Sequence, residues 1–268
     1  MLDTIEADAD VRVAVFASAV HGDVLDYSDF KARSAAMKSN RQAAPFFEAW
    51  ECPALARRAL AECVGTAALT VAVVFAAHAS WLGQLRPLAR GVGIPAALAA
   101  LTLSLGPVTG AHFNPLVTAS QWARGHRDTR SVLAYLVAQI VGAVVGAVAA
   151  GQLLGVMPQA VPAPLAVVVG SEIFASAGLI TIVLVASLVA SPSVGLMAVI
   201  AWLVMINLTA PAGPFANPVL ALATPLALGS TTASAIFAHV GAEIVGAGMA
   251  VLLIVVMYPR AVRPATAE

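Results

Sequence analysis

The chain has 268 residues, 60% of them hydrophobic and only 10% charged, with a mean hydropathy of +0.90. A soluble domain carries about 25% charged residues, so this composition excludes a soluble globular protein and points to a membrane protein. Lys+Arg and Asp+Glu balance at 14 each, and no basic stripe is interleaved with aromatics, which argues against nucleic-acid binding.

Residues 1–56 are charge-rich and mixed in sign, and they open on an acidic stretch where a secretory signal would be basic. The one apolar run, Val11 to Val20, is broken by Arg12 and is too short to span. The segment is expected to be a cytoplasmic tail without a packed structure, and Met37 would serve as a second translation start. Cys52 and Cys63 supply neither a disulfide framework nor a metal-ligand set, so no metal and no cofactor are expected.

A bilayer-spanning helix needs about 20 apolar residues. Cys63 to Leu85 contains no Asp, Glu, Lys or Arg and reads as a first span. The charge-free run from Gly91 to Ala123 exceeds one span and falls short of two, so a span over about 91–108 is followed by a shorter helix beginning at Asn114-Pro115-Leu116. A third span covers about 131–154, and a Pro-rich turn precedes a fourth from about Pro164 to Ala190. A fifth runs from about Val194 to Thr209; a second short helix begins at Asn217-Pro218-Val219, and a sixth span covers about Ala233 to Tyr258. Residues 259–268 form a cytoplasmic C-terminal tail.

Asn is a favoured helix N-cap and Pro is pre-set for the first helical position. Each Asn-Pro therefore starts a half helix at membrane depth, where its unpaired N–H groups are tolerable only beside a polar cavity. The halves repeat. Ala138-Gln-Ile-Val-Gly-Ala143 matches Ala242-Glu-Ile-Val-Gly-Ala247, 104 residues on, and Asn114 and Asn217 are 103 apart. Glu62-Cys-Val-Gly-Thr-Ala-Ala-Leu69 resembles Glu172-Ile-Phe-Ala-Ser-Ala-Gly-Leu179, 110 residues on. Three spans per repeat invert the second copy, so the half helices enter from opposite faces. The fold class is thus an all-α membrane protein with six spans, two re-entrant half helices and an inverted repeat, about 57–155 and 164–258. Arg57, Arg58, Arg124, Arg127, Arg130, Arg260 and Arg263 fall on one side, against Arg86 and Arg90 on the other; the positive-inside rule then puts both termini in the cytoplasm.

Opposed half helices aim positive dipole ends and two Asn amides at one midplane point. An oxygen there accepts from both amides, which interrupts a proton wire, and the dipole ends repel cations. That chemistry suits passive conduction of water and small neutral solutes. Glu62 and Glu172 are intramembrane carboxylates, functional suspects by default; a proton-coupled site is one reading. Glu243, opposite Gln139 in the repeat, reads as a buried protonated acid bonding a neighbour, with a titrating gate as the rival. His78 and His239 read as ordinary side chains, and Gly142-Ala-Val-Val-Gly146 as a close helix contact.

The motifs Gly-Ala-His112-Phe-Asn114-Pro115-Leu-Val-Thr118 and Phe215-Ala-Asn217-Pro218-Val219, with a Glu early in spans one and four, resemble the aquaporin (major intrinsic protein) family over about residues 57–258. The resemblance implies that fold, a homotetramer in the plasma membrane, and a pore midpoint lined by Asn114 and Asn217. It also implies that Glu62 and Glu172 accept backbone N–H groups of the re-entrant loops and that His112 lines the cytoplasmic vestibule, with an ordinary hydrogen-bonded side chain as the rival reading of a lone His. The chain departs from the family pattern at its selectivity positions. Leu116 and Val219 replace the Ala of each Asn-Pro-Ala, and Leu220 stands where water channels carry Arg. Ile94 occupies the usual aromatic position, Met205 or Ile206 that of the filter histidine, and Pro214 the loop position. The expected outer filter is therefore apolar on all four walls and favours less polar solutes over rapid water flow, with glycerol-like molecules and metalloid hydroxides as candidates, although glycerol facilitators usually keep the Arg and follow it with Asp where this chain has Leu220 and Ala221. The Phe-Ala-Asn-Pro-Val string looks like bacterial aquaporins of arsenic-resistance operons. The alternatives are a secondary transporter with inverted repeats and a non-conducting or gas-permeable structural paralogue.

Overall fold

The structure, a computed structural model, describes residues 53–154, 163–189, 192–228 and 232–258, all within one compact unit, Ala44–Glu268. Residues 1–52 and 259–268, which hold Met37 and nearly all of the two expected tails, lie outside the described residues. The described chain runs through α1 (Leu55–His78), α2 (Ile94–Thr109), α3 (Pro115–Ala123), α4 (Thr129–Leu154), α5 (Leu165–Val189), α6 (Pro192–Thr209), α7 (Pro218–Leu228) and α8 (Ala233–Met257). A π-helical turn, Ala89–Gly93, leads into α2.

Five described stretches are long and apolar enough to cross a membrane, namely Leu55–His78, Leu82–Thr109, Thr129–Leu154, Leu165–Ser187 and Ala233–Met257. The sixth is shorter. At about 1.5 Å per residue the 18 residues of α6 reach roughly 27 Å, close to the ~30 Å hydrocarbon core. The first span also sits earlier than charge counting places it, at 55–78 rather than 63–85. Its first turns can carry Arg58 because the guanidinium is buried on a partner, with Nη2 donating to Ser131 Oγ at 3.0 Å. Beyond His78 the chain breaks at Gly83, whose φ of 53° ends helical geometry.

Burial runs opposite to that of a soluble protein. Phe237, Leu153 and Val256 are 75%, 74% and 70% exposed, whereas Glu62, Gln139, Glu172 and Glu243 are completely buried. Lipid solvates the first set and cannot solvate the second. Within each repeat the outer helices meet at glycine. A Cβ on Gly142 of α4 would lie 2.2 Å from the Cys63 carbonyl of α1, and one on Gly246 of α8 2.4 Å from the Ile173 carbonyl of α5. Backbones approach this closely only where a small residue leaves room. The paired contacts keep the sequence offsets, since Gly142 and Gly246 are 104 apart and Cys63 and Ile173 are 110 apart.

Both half helices begin inside this shell. The carbonyl end of α2 is closed beneath the first of them: the Gly110 N–H donates to Gly106 O at 2.8 Å, and Tyr135 Oη and Arg127 Nη2 both donate to Thr109 O, at 2.8 and 3.1 Å. These bonds satisfy groups that a helix end leaves open and lipid cannot serve.

Candidate functional site

The loops ahead of α3 and α7 share one backbone pattern. Gly110 and Gly213, each four residues before the Asn, have φ of 86° and 55°; Phe113 and Ala216, each immediately before it, have φ of 47° and 49°. A residue with a Cβ loses about 1–2 kcal/mol in this left-handed region, so both loops need outside support. Buried carboxylates supply it. Glu62 accepts from the N–H groups of His112 and Phe113 at 3.0 and 2.7 Å, and Glu172 from those of Phe215 and Ala216, both at 3.0 Å. In each loop these are the two N–H groups that precede the Asn.

The third carboxylate departs from the symmetry. In the first repeat Gln139 Nε2 bridges Glu62 Oε2 at 2.8 Å and Thr118 Oγ1 at 2.9 Å. Its counterpart Glu243 accepts directly from the Asn217 backbone N–H at 2.8 Å. His239, an ordinary side chain by sequence, has Nδ1 2.6 Å from Glu172 Oε1 and its ring edge-on to Phe215, with centroids 5.4 Å apart. The His112 ring lies with Nδ1 3.0 Å from Thr118 Oγ1 and packs edge-on to Tyr135 at 5.2 Å.

So supported, the two half helices meet tip to tip. Asn114 Nδ2 donates to Ala216 O at 2.8 Å, and Asn217 Nδ2 donates to Phe113 O at 2.9 Å. Each amide thus closes on the carbonyl just ahead of the other Asn and keeps a second N–H. Asn114 also caps its own helix, its Oδ1 accepting from the Leu116 N–H at 2.9 Å.

Both Asn side chains face a cavity of ≈ 90 Å³, room for several water molecules. Its walls follow helical and repeat spacing. Arg90, Ile94, Leu98 and Thr102 line it at intervals of four, Leu196, Val199, Leu203 and Asn207 at intervals of three or four on α6, and Leu69 and Val73 of α1 are matched by Leu179 and Val183 of α5. His112, Pro214, Phe215 and Leu220 also line it.

Of the residues expected at the outer filter, Ile94, Pro214 and Leu220 line this cavity, and Met205 and Ile206 do not. Ile206 is 3% exposed within the core cluster that includes Leu179 and Leu203, and Met205 packs against that cluster. Rotation accounts for Met205, which falls on the side of α6 opposite Leu203 and Asn207; Ile206 shares the side of Val199 and is covered within the core cluster. Leu116 and Val219 are likewise core residues rather than lining, as the polypeptide turns from each Asn into its helix. Nor is the wall apolar throughout. Arg90, counted by sequence only as a flanking charge, lines the cavity with Nη2 on Gly213 O at 2.9 Å. The signal available was its spacing, four residues before Ile94.

An arrangement with two amide donors and two helix N-termini turned on one point holds an oxygen of a neutral molecule and disfavours a cation. Among the described residues no group of three or more His, Cys, Asp or Glu could hold a metal ion.

The sequence matches the major intrinsic protein family over residues 49–253, which takes in both Asn-Pro motifs and Glu62, Glu172 and Glu243. It is 32% identical over 178 residues to "Aquaglyceroporin AqpS" of Rhizobium meliloti (strain 1021), an alignment covering 63% of this chain and 75% of that protein.

Proposed function

Because this chain belongs to the major intrinsic protein family, a family of membrane channels for water and small solutes, we propose that the cavity between its two half helices is the conducting pore. The observation that carries the reading is the reciprocal bonding of Asn114 and Asn217 at the cavity, which leaves each amide an N–H for a passing solute. The conducted species are water and small neutral solutes, with glycerol-like molecules and neutral metalloid hydroxides favoured over bulk water flow. The walls at Ile94, Leu203, Pro214 and Leu220 support that preference, since apolar lining binds water poorly. The similarity to a protein named as an aquaglyceroporin agrees with it.

The membrane arrangement proposed is a homotetramer in the plasma membrane with both termini cytoplasmic. Arg57, Arg58, Arg124, Arg127 and Arg130 then lie inside, and the mouth beside Arg90 opens outside. Stopped-flow light scattering on proteoliposomes, comparing water, glycerol, urea and arsenite, tests the function. Solute entry faster than in empty vesicles is expected; rates equal to empty vesicles for all four would refute a channel.

A further inference from the structure

Arg90 is a charged residue within the apolar stretch Leu82–Thr109, and charged residues in membrane-spanning segments mark the paths of solutes and ions. It stands on the π-helical turn Ala89–Gly93, a widened turn of the kind found at functional sites. The same face continues through Ile94, Leu98 and Thr102 along the cavity. Its Nη2 reaches across 123 residues of sequence to Gly213 O, in the loop of the other repeat. A Cβ on Gly213 would lie 2.6, 2.8 and 3.0 Å from Nη2, Cζ and Nη1, so the guanidinium end of Arg90 sits against the glycine. Among the described residues Arg90 makes no ion pair within 4.0 Å. A guanidinium carries five N–H donors and cannot lose its charge in a protein, and Gly213 O takes one of them. Asn207, on the neighbouring helix α6, also lines the cavity, with its Nδ2 turned back to Leu203 O at 2.9 Å.

We propose that Arg90 is the specificity-determining residue of the outer mouth: from the α2 side it repels cations and offers N–H donors to hydroxylated neutral solutes, in a cavity to which the half helix α7 contributes only Leu220. The inference rests on the channel reading above. It also gives Gly213 a second role, since the positive φ already favours glycine and a side chain there would displace the guanidinium. A bond to one carbonyl would serve a mere strut. A strut needs no net charge, and that difference separates the two roles.

The test uses the full chain in proteoliposomes, with methylammonium as the cationic probe and urea and glycerol as neutral ones. Arg90→Ala is expected to raise the methylammonium-to-urea flux ratio by about tenfold or more, while Arg90→Lys, which keeps the charge but not the flat fork, holds the ratio near that of the parent. Leu220→Arg in the Arg90→Ala background restores exclusion from the facing wall. Where Arg90→Ala does not assemble, Arg90→Gln, which keeps an N–H for Gly213 O without the charge, takes its place. A ratio unchanged in the neutral variants, or one raised equally in Arg90→Lys, overturns the proposal and leaves a strut. A parent protein whose rates for water, glycerol, urea and arsenite all equal those of empty vesicles overturns the channel reading itself, and this inference with it.

Discussion

Asn114 and Asn217 are joined by two hydrogen bonds of opposite direction, each side-chain amide donating to the carbonyl that precedes the other, at 2.8 and 2.9 Å. The bonds tie the same two loops, so breaking one loosens the geometry of the other. Asn114→Ala and Asn217→Ala should each destabilise the protein by about 1–3 kcal/mol, the loss of a bond plus an orphaned carbonyl. The double variant should cost less than the sum by roughly 0.5 kcal/mol or more, because the second loss acts on a junction already opened. Thermal unfolding in detergent of all four proteins measures the cycle; strict additivity would mean that the loops are held independently.

The glycine contacts give a contrast within one helix. On α8 a Cβ at Gly246 would meet the Ile173 carbonyl at 2.4 Å and the Ala177 nitrogen at 3.0 Å, while one at Gly248 meets nothing within 4 Å. Backbone atoms cannot rotate aside as a side chain does, so Gly246→Ala must push α5 and α8 apart. A loss of roughly 1–3 kcal/mol is expected, as for other overpacked sites. Gly248→Ala should stay within about 0.5 kcal/mol of the parent. Melting temperatures of the two variants side by side provide the check, and equal behaviour would deny the close contact.

Much of this architecture is legible because its signals are local. Charge-free length marks the spans, Asn-Pro marks the half helices, and the equivalence of Glu62 and Glu172 follows from the repeat. What escapes the sequence depends on rotation and on contacts between distant segments. Whether 205 and 206 or 203 and 207 face the cavity is decided by how α6 seats on its neighbours, where Leu208 packs into the space beside Gly91. Arg90 reads as a loop charge until the π turn carries it into register with Ile94. His239 gives no local hint of Glu172, 67 residues away.

Acid should weaken the start of α4. Asp128 caps that helix, accepting from Ser131 Oγ at 2.6 Å and from the Ser131 N–H at 2.9 Å, and Ser131 Oγ in turn accepts from Arg58. The Ser131 hydroxyl first, and its backbone N–H second, hold the Asp128 carboxyl below its ordinary value. A depressed folded-state value means stabilisation that is fully present above the ordinary carboxylate value, about 3.9, and is lost as pH falls through the lower one. Asp128→Ala should therefore melt earlier than the parent at pH 7, with the gap closing below about pH 4. A gap that stays constant down to pH 2 would show that the carboxylate charge has no part in the cap.

Glu243 offers the sharpest separation of two roles. Its Oε1 accepts from the Asn217 backbone N–H at 2.8 Å, at the position where the other repeat has Gln139. An acceptor is all that this bond requires, and the side-chain oxygen of Gln provides one. Glu243→Gln should therefore retain solute flux at every pH and stay within about 1 kcal/mol of the parent in stability. Glu243→Ala, which leaves a buried N–H unpaired beside the cavity, should lose about 1–3 kcal/mol and slow conduction with it. A titrating gate predicts otherwise: the parent would change its flux with pH, and Glu243→Gln would erase that change while folding normally. Flux measured from pH 5 to pH 9 on the three proteins decides between an acceptor that holds Asn217 in place and a proton-operated gate.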